Sequence, residues 1–225
     1  MRELSPRLQV IFSLVPMSSK VCDVGTDHAY LPIALSKSGK AKSIIACDIN
    51  EGPLKKAKDN IEKSKETNID LRLGDGLSPI MENEADTLII AGMGGDVIRH
   101  ILSSCKWIKN PDLLLLLQPM TSAELLRSYL TDNLFEIEKE VPVSDASKIY
   151  SVMAVRFTGV KKTYKNGYEF VGEVSPDTKV GKLYIEKQKK RIANCLNQIK
   201  NINEKAEEIK KLTEILSYIE NILEK

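Results

Sequence analysis

Between residues 20 and 117 short apolar runs alternate with longer amphipathic ones, and few folds accommodate that rhythm. The runs at 20–24, 43–48, 69–73, 86–91 and 113–117 are almost continuously hydrophobic, as strands covered on both faces must be. The stretches between them, at about 28–38, 53–65, 96–104 and 122–132, carry the helical period instead. Pro53 follows Gly52 and suits the first turn of its helix. Strand and helix in strict alternation predict βαβ units and a parallel sheet.

After residue 133 the rhythm changes. "FEIEKEVPVSDASKIYSVMAVRF", residues 135–157, holds two β-rich runs with no crossover helix between them. They predict an antiparallel pair closing one edge, which makes a mostly parallel, seven-stranded sheet. Residues 160–178 read as a connector, and from Lys182 onward there is neither glycine nor proline. There Ile192, Cys195, Ile199, Ile202, Ala206, Ile209, Leu212, Leu216, Ile219 and Leu223 recur at steps of three and four, a seam that demands a partner helix. A single rod of that length would reach ~66 Å. An α-helical coiled-coil hairpin turning in "KNINEK", residues 200–205, buries the seam within one chain and predicts a monomer; coiling between chains would give a dimer through the tail. The division expected is 1–160 for an α/β domain and 161–225 for the helical one.

The composition, 42% hydrophobic and 28% charged over 225 residues, is that of a soluble globular protein, and no apolar run approaches the roughly 20 residues that span a bilayer. The start, "MRELSPRLQVIFSLVP", reads as an amphipathic helix rather than a signal peptide. Four cysteines lack any CxxC spacing, so neither zinc nor a disulfide framework is expected and the cytoplasm is the natural compartment. Cys22 and Cys47, inside strand-like runs, read as small hydrophobes. With only two histidines, His28 and His100, and no ligands at metal spacing beside them, no metal site is expected. His100 reads as structural, whereas His28 stands where it can hydrogen-bond a ligand. Residues 161–225 hold 14 Lys and Arg against 10 Asp and Glu, while residues 1–160 hold 19 against 21. A basic tail on a mildly acidic body is one way to meet phosphate.

In an open α/β sheet a ligand sits beyond the carboxyl ends of the strands. Asp23 and Gly25, then Asp48, "GDG" at 74–76, "AGMGG" at 91–95 and "QPM" at 118–120 all fall at such ends. Asp48, 23 residues after Gly25, suits a carboxylate that accepts from the two hydroxyls of a ribose. A dinucleotide turn would add glycines for the pyrophosphate, but "VCDVGTDHAY" places the carboxylate of Asp27 there, which repels phosphate and attracts a cation. S-adenosylmethionine has the matching features: a nucleoside, a sulfonium, an α-ammonium and no phosphate. Asp75 would accept from the adenine amine, flanked by Gly74 and Gly76.

"LSPRLQVIFSLVP", "VCDVGTDHAYLPIAL", "ACDIN", "LGDGL", "DTLIIAGMGGDVI" and "LLLQPM" closely resemble the bacterial tRNA (adenine-22, N1)-methyltransferase family over residues 1–158. The resemblance implies a Rossmann-like class I methyltransferase fold, S-adenosylmethionine as donor with S-adenosylhomocysteine as product, and tRNA adenine as acceptor. It implies that Asp23, Gly25, Asp27, Asp48, Asp75, Gly76, Gly92 and Met93 line the cofactor, and that Asp27, His28, Tyr30, Gln118, Met93 and Gly94 face the acceptor base. In that picture Lys187, Lys189, Lys190 and Arg191 meet tRNA phosphates, with Arg7 and Lys20 as weaker contacts. No (D/N)PP(Y/F) follows the fourth strand; "AGMGG" stands there, as an acceptor with its own in-plane lone pair permits. Two further readings stay open at this point: a small-molecule methyltransferase, and a non-catalytic RNA-binding module.

Overall fold

A computed structural model describes residues 3–224. Seven strands, β1 (Ser19–Val24), β2 (Ala41–Asp48), β3 (Ile69–Leu73), β4 (Thr87–Gly94), β5 (Leu114–Thr121), β6 (Phe135–Asp145) and β7 (Lys148–Phe157), form one sheet in the order β3-β2-β1-β4-β5-β7-β6. The first five run parallel, and β5–β7 and β7–β6 pair antiparallel. The order reverses between β1 and β4, and a crevice opens at such a switch.

Alternate strand residues face opposite layers, as the period of two requires. Val21, Ile44, Ile89 and Leu116 pack against α1 (Pro6–Leu14) and α2 (Tyr30–Lys37). Cys22, Cys47, Leu88 and Leu115 pack against α4 (Gly95–Ser103) and α5 (Ala123–Asp132). A third helix of the body, α3 (Glu51–Ser64), buries Ala57 and Ile61 against Ala29 and Ile33. Pro53 stands two residues inside the start of α3 rather than at its first position, because Asn50 takes the extended conformation that begins the helix.

Two strands run past their expected ends. β4 continues through "AGMG" and β5 through "QPMT", with register shifts at Ala91/Met93 and Met93/Gly94. Gly92 at φ +80 makes that irregularity possible, and Pro119, which has no N–H for the ladder, sits opposite it.

The tail forms a hairpin of α7 (Lys179–Ile199) and α8 (Ala206–Leu223), turning through a single 3-10 turn at Asn203–Lys205. A short helix, α6 (Tyr168–Val171), interrupts the expected connector. The hairpin core is Tyr184, Ile185, Ile192, Ile215 and Ile219 over Val171 and Val174. Of the predicted seam, Cys195, Ile202 and Ala206 are exposed, because the helices close tightly at the end that leans on the body. There Arg127 and Glu140, both fully buried, form an ion pair at 2.6 Å, and Arg127 donates to the Tyr184 hydroxyl at 2.6 Å and to the Glu169 carbonyl at 2.8 Å. This cluster ties α5, β6, α6 and α7 together. Among the described residues no helix is long and apolar enough to cross a membrane.

Candidate active site

A cavity of about 610 Å³ opens at the carboxyl ends of β1 to β4, within the size range of small-ligand sites. Asp23, Gly25, Asp27, Tyr30, Asp48, Asp75, Gly76, Gly92 and Met93 all line it. The first turn is built from left-handed backbone: Gly25 at φ +77, His28 at +64 and Ala29 at +56. Such conformations in non-glycine residues cost about 1 kcal/mol or more each and persist only where surroundings hold them. Here Gly25 N–H and Thr26 N–H donate to the Cys47 carbonyl at 2.8 and 2.9 Å, and Asn60 donates to the His28 carbonyl at 2.9 Å. Ala29 is fully buried against α3, where a larger side chain finds no room.

The same turn explains Gly25. A Cβ there would lie 2.1 Å from the Met93 methyl, so Met93 covers the glycine and shapes the cavity floor. Gly76 at φ +53 and Gly92 at φ +80 make equivalent turns beyond β3 and β4.

Four carboxylates differ in setting. Asp23 is buried, and burial, reinforced by the charge of Asp48, pushes its carboxyl up to about 6. The Thr26 hydroxyl lies near enough to ease that shift but is itself buried without a hydrogen-bond partner of ordinary geometry among the described residues. Asp48 is half-buried and accepts from Asn50 N–H at 2.8 Å, leaving an oxygen for a ligand. Asp27 and Asp75 are exposed at the rim, and His28 Nε2 lies 3.1 Å from Asp27 Oδ1 while its ring stacks on Tyr30 at 5.3 Å. His28 is thus a wall behind Asp27 and Tyr30 rather than part of the lining.

Several expectations change. Gln118, expected to face an acceptor base, is fully buried: its Oε1 accepts from Arg7 at 2.8 Å and from Gly92 N–H at 3.2 Å, and its Nε2 donates to the Pro119 carbonyl at 2.9 Å. Its side chain braces the Gly92 turn and cannot also reach a base. Gly94 begins α4 and is held off the cavity by Asp96 and Thr121. Arg7, expected as an outer phosphate contact, lines the cavity and pairs with Asp145 at 2.6 Å. Lys20 stands at the opposite, amino end of β1. His100, read as structural, is exposed and lines the cavity. Ile49 and Val97, 58% and 44% exposed, line it too. They went unnoticed because one apolar residue after a strand looks like any other, although Ile49 directly follows Asp48.

A second cleft, about 370 Å³, lies between residues 119–124, β7 and α7, and Lys187, Lys190 and Arg191 line it. Arg191 pairs with Glu124 at 2.8 Å and Lys189 with Glu220 at 2.9 Å. Lys187 and Lys190 make no ion pair among the described residues. Nor is any group of three or more His, Cys, Asp or Glu among the described residues arranged to hold a metal ion.

Residues 4–153 match the model of a methyltransferase domain. The curated tRNA (adenine(22)-N(1))-methyltransferase of Bacillus subtilis is 39% identical over 152 residues, 67% of this chain and 64% of that protein, so the matched stretch spans less than two thirds of that relative. The solved B. subtilis adenine-22 N1 tRNA methyltransferase TrmK superposes with a TM-score of 0.85 at 28% identity, over 98% of this chain and 99% of that one. The Mycoplasma capricolum TrmK, solved with the cofactor product S-adenosylhomocysteine, gives 0.82 at 28% identity, over 98% and 100%.

Proposed function

The chain belongs to the bacterial tRNA (adenine-22, N1)-methyltransferase family, and from that premise we propose that it transfers a methyl group from S-adenosylmethionine to N1 of adenine 22 in tRNA. The observation that carries this reading is the row of carboxylates at successive strand ends around a cavity with no phosphate-binding glycine turn. The buried, partnerless Thr26 hydroxyl and the space that Gly25, Gly76 and Gly92 keep free of Cβ atoms fit a nucleoside seated close to the backbone.

The sulfonium supplies an electrophilic methyl when the cofactor is bound. Asp48 receives the ribose hydroxyls, Asp75 the adenine amine, and the apolar walls of Ile49 and Val97 the flat purine. Asp23, held by the turn that Gly25 makes, meets the cationic end of the donor. The acceptor N1 carries an in-plane lone pair, so a carbon–nitrogen bond forms as the carbon–sulfur bond breaks and no proton has to leave. Alignment then supplies most of the acceleration, and well-held reacting pairs gain ~7–11 kcal/mol that way. N1 lies on the pairing edge, so the adenine must leave its stack, at a cost of a few kcal/mol. Tyr30, backed by His28, offers a ring to stack on, and Asp27 at the rim faces the positive charge that the product base acquires.

Lys187 and Lys190, in the cleft between body and hairpin, receive tRNA phosphates, with Arg191 beside them. A substrate of this kind places the enzyme in the cytoplasm. Incubating the protein with tRNA and isotopically labelled donor, then analysing nucleosides by mass spectrometry and mapping the modified position by primer extension, tests the proposal. Label in 1-methyladenosine at position 22 is expected; label in another nucleoside, or in none, overturns it.

A further inference from the structure

The cofactor reading above leaves the negative end of the donor without a partner. Its methionine moiety carries an α-carboxylate, and the cavity it must enter is lined by Asp23, Asp27, Asp48 and Asp75. A fifth carboxylate in that field is repelled unless a cation meets it. Among the described residues that line the cavity, Arg7 is the only lysine or arginine.

The sheet order fixes where that end lies. Asp75 stands beyond β3 and Asp48 beyond β2, so a nucleoside on those two occupies one side of the crevice, and the amino-acid end runs on past β1 toward β4 and β5. Arg7 is on that side. Its Nη1 donates to Gln118 Oε1 of β5 at 2.8 Å, and it stands 4.0 Å from where a Cβ on Gly92 of β4 would be. Nε is fixed by Asp145 at 2.6 Å, and the guanidinium lies 5.3 Å from the centre of the Tyr150 ring. A guanidinium has five donors. The hydrogen bonds formed among the described residues use Nε and Nη1, and none uses Nη2.

We infer that Arg7 binds the α-carboxylate of the donor's methionine moiety and is a cofactor-binding residue, not an RNA contact. Asp145, Tyr150 and Gln118 hold the guanidinium in place before the ligand arrives. Because Gln118 also accepts from Gly92 N–H at 3.2 Å, the carboxylate site and the turn at the end of β4 are mechanically one piece.

Calorimetric binding to the full chain tests this without relying on turnover. The probes are S-adenosylhomocysteine, its decarboxylated analogue and 5′-methylthioadenosine, which lacks the amino-acid end. Arg7→Met is expected to weaken S-adenosylhomocysteine about 10- to 100-fold, as loss of a charged hydrogen bond does, and to leave the other two within about twofold. Equal weakening of all three ligands, or unchanged S-adenosylhomocysteine binding, overturns the assignment. Should Arg7→Met not fold, Arg7→Lys carries the same comparison: a selective loss confined to the carboxylate-bearing ligand supports the contact and a uniform loss refutes it. Failure of the wild-type protein to bind any of the three would count against the cofactor reading itself, which is a different result.

Discussion

Asp23 is the residue whose chemistry is most exposed to a simple test. Its folded carboxyl is raised to about 6 by burial and by Asp48, so in the free protein near neutrality it sits only modestly on the ionised side. A cationic ligand favours the ionised form and must lower that value on binding. Affinity for S-adenosylhomocysteine, whose α-ammonium persists in this range, should therefore rise from about pH 5 to pH 7 and level off. Calorimetry in buffers of different ionisation enthalpy should detect proton release near pH 6, and Asp23→Asn should flatten the profile. The sign for stability is the opposite. A carboxyl whose folded pKa lies above its unfolded one binds more protons in the native state, so the free protein loses stability as pH rises from about 4 through 6. Asp48→Ala should weaken S-adenosylhomocysteine and 5′-methylthioadenosine alike, by about 10-fold or more, because the ribose is common to both; unchanged affinity would remove Asp48 from the site. This separates the ribose contact from the carboxylate contact assigned to Arg7.

At the scale of elements, the parallel strands were readable because each is a short apolar run ending in Asp or Gly, and the hairpin turn at 200–205 because its helices share a seam of fixed period. What stayed hidden depends on side chains distant in sequence. Gln118 looks like an available amide after a strand, and only the fold shows that Arg7 and Gly92 occupy it. The lock between body and hairpin joins Arg127, Glu140 and Tyr184 across β6, α5 and α7, and no local pattern announces a buried charge pair. Burial opposes the Arg127 charge, and Glu140 and Tyr184 more than restore it. Glu140→Ala leaves that guanidinium buried and unpaired, so unfolding in denaturant should show a loss of about 3–5 kcal/mol. Gly172 belongs to the same lock: at φ +58 a Cβ would lie 2.1 Å from Glu140 Oε2. Gly172→Ala should therefore also destabilise, although alanine is helpful at most glycine positions with ordinary backbone.

For the whole molecule, an acidic crevice and a basic hairpin divide the work between a cationic cofactor and an anionic substrate. The division has a measurable consequence, because only cations not already spent on carboxylates can release counterions from RNA. Lys189 is held by Glu220 and Arg191 by Glu124, so of the four basic residues first singled out on α7, Lys187 and Lys190 carry the free charge toward the cleft beside β5. Each phosphate neutralised adds about one unit to the slope of log affinity against log salt. Lys187→Ala with Lys190→Ala should therefore make tRNA binding shallower by roughly two units between about 50 and 300 mM salt, while Lys189→Ala changes the slope less. S-adenosylhomocysteine affinity should not move in either variant, since the cleft and the cofactor cavity share no lining residue. A double variant with the wild-type slope would place the tRNA on another face of the protein, and the hairpin would then owe its lysines to solubility alone.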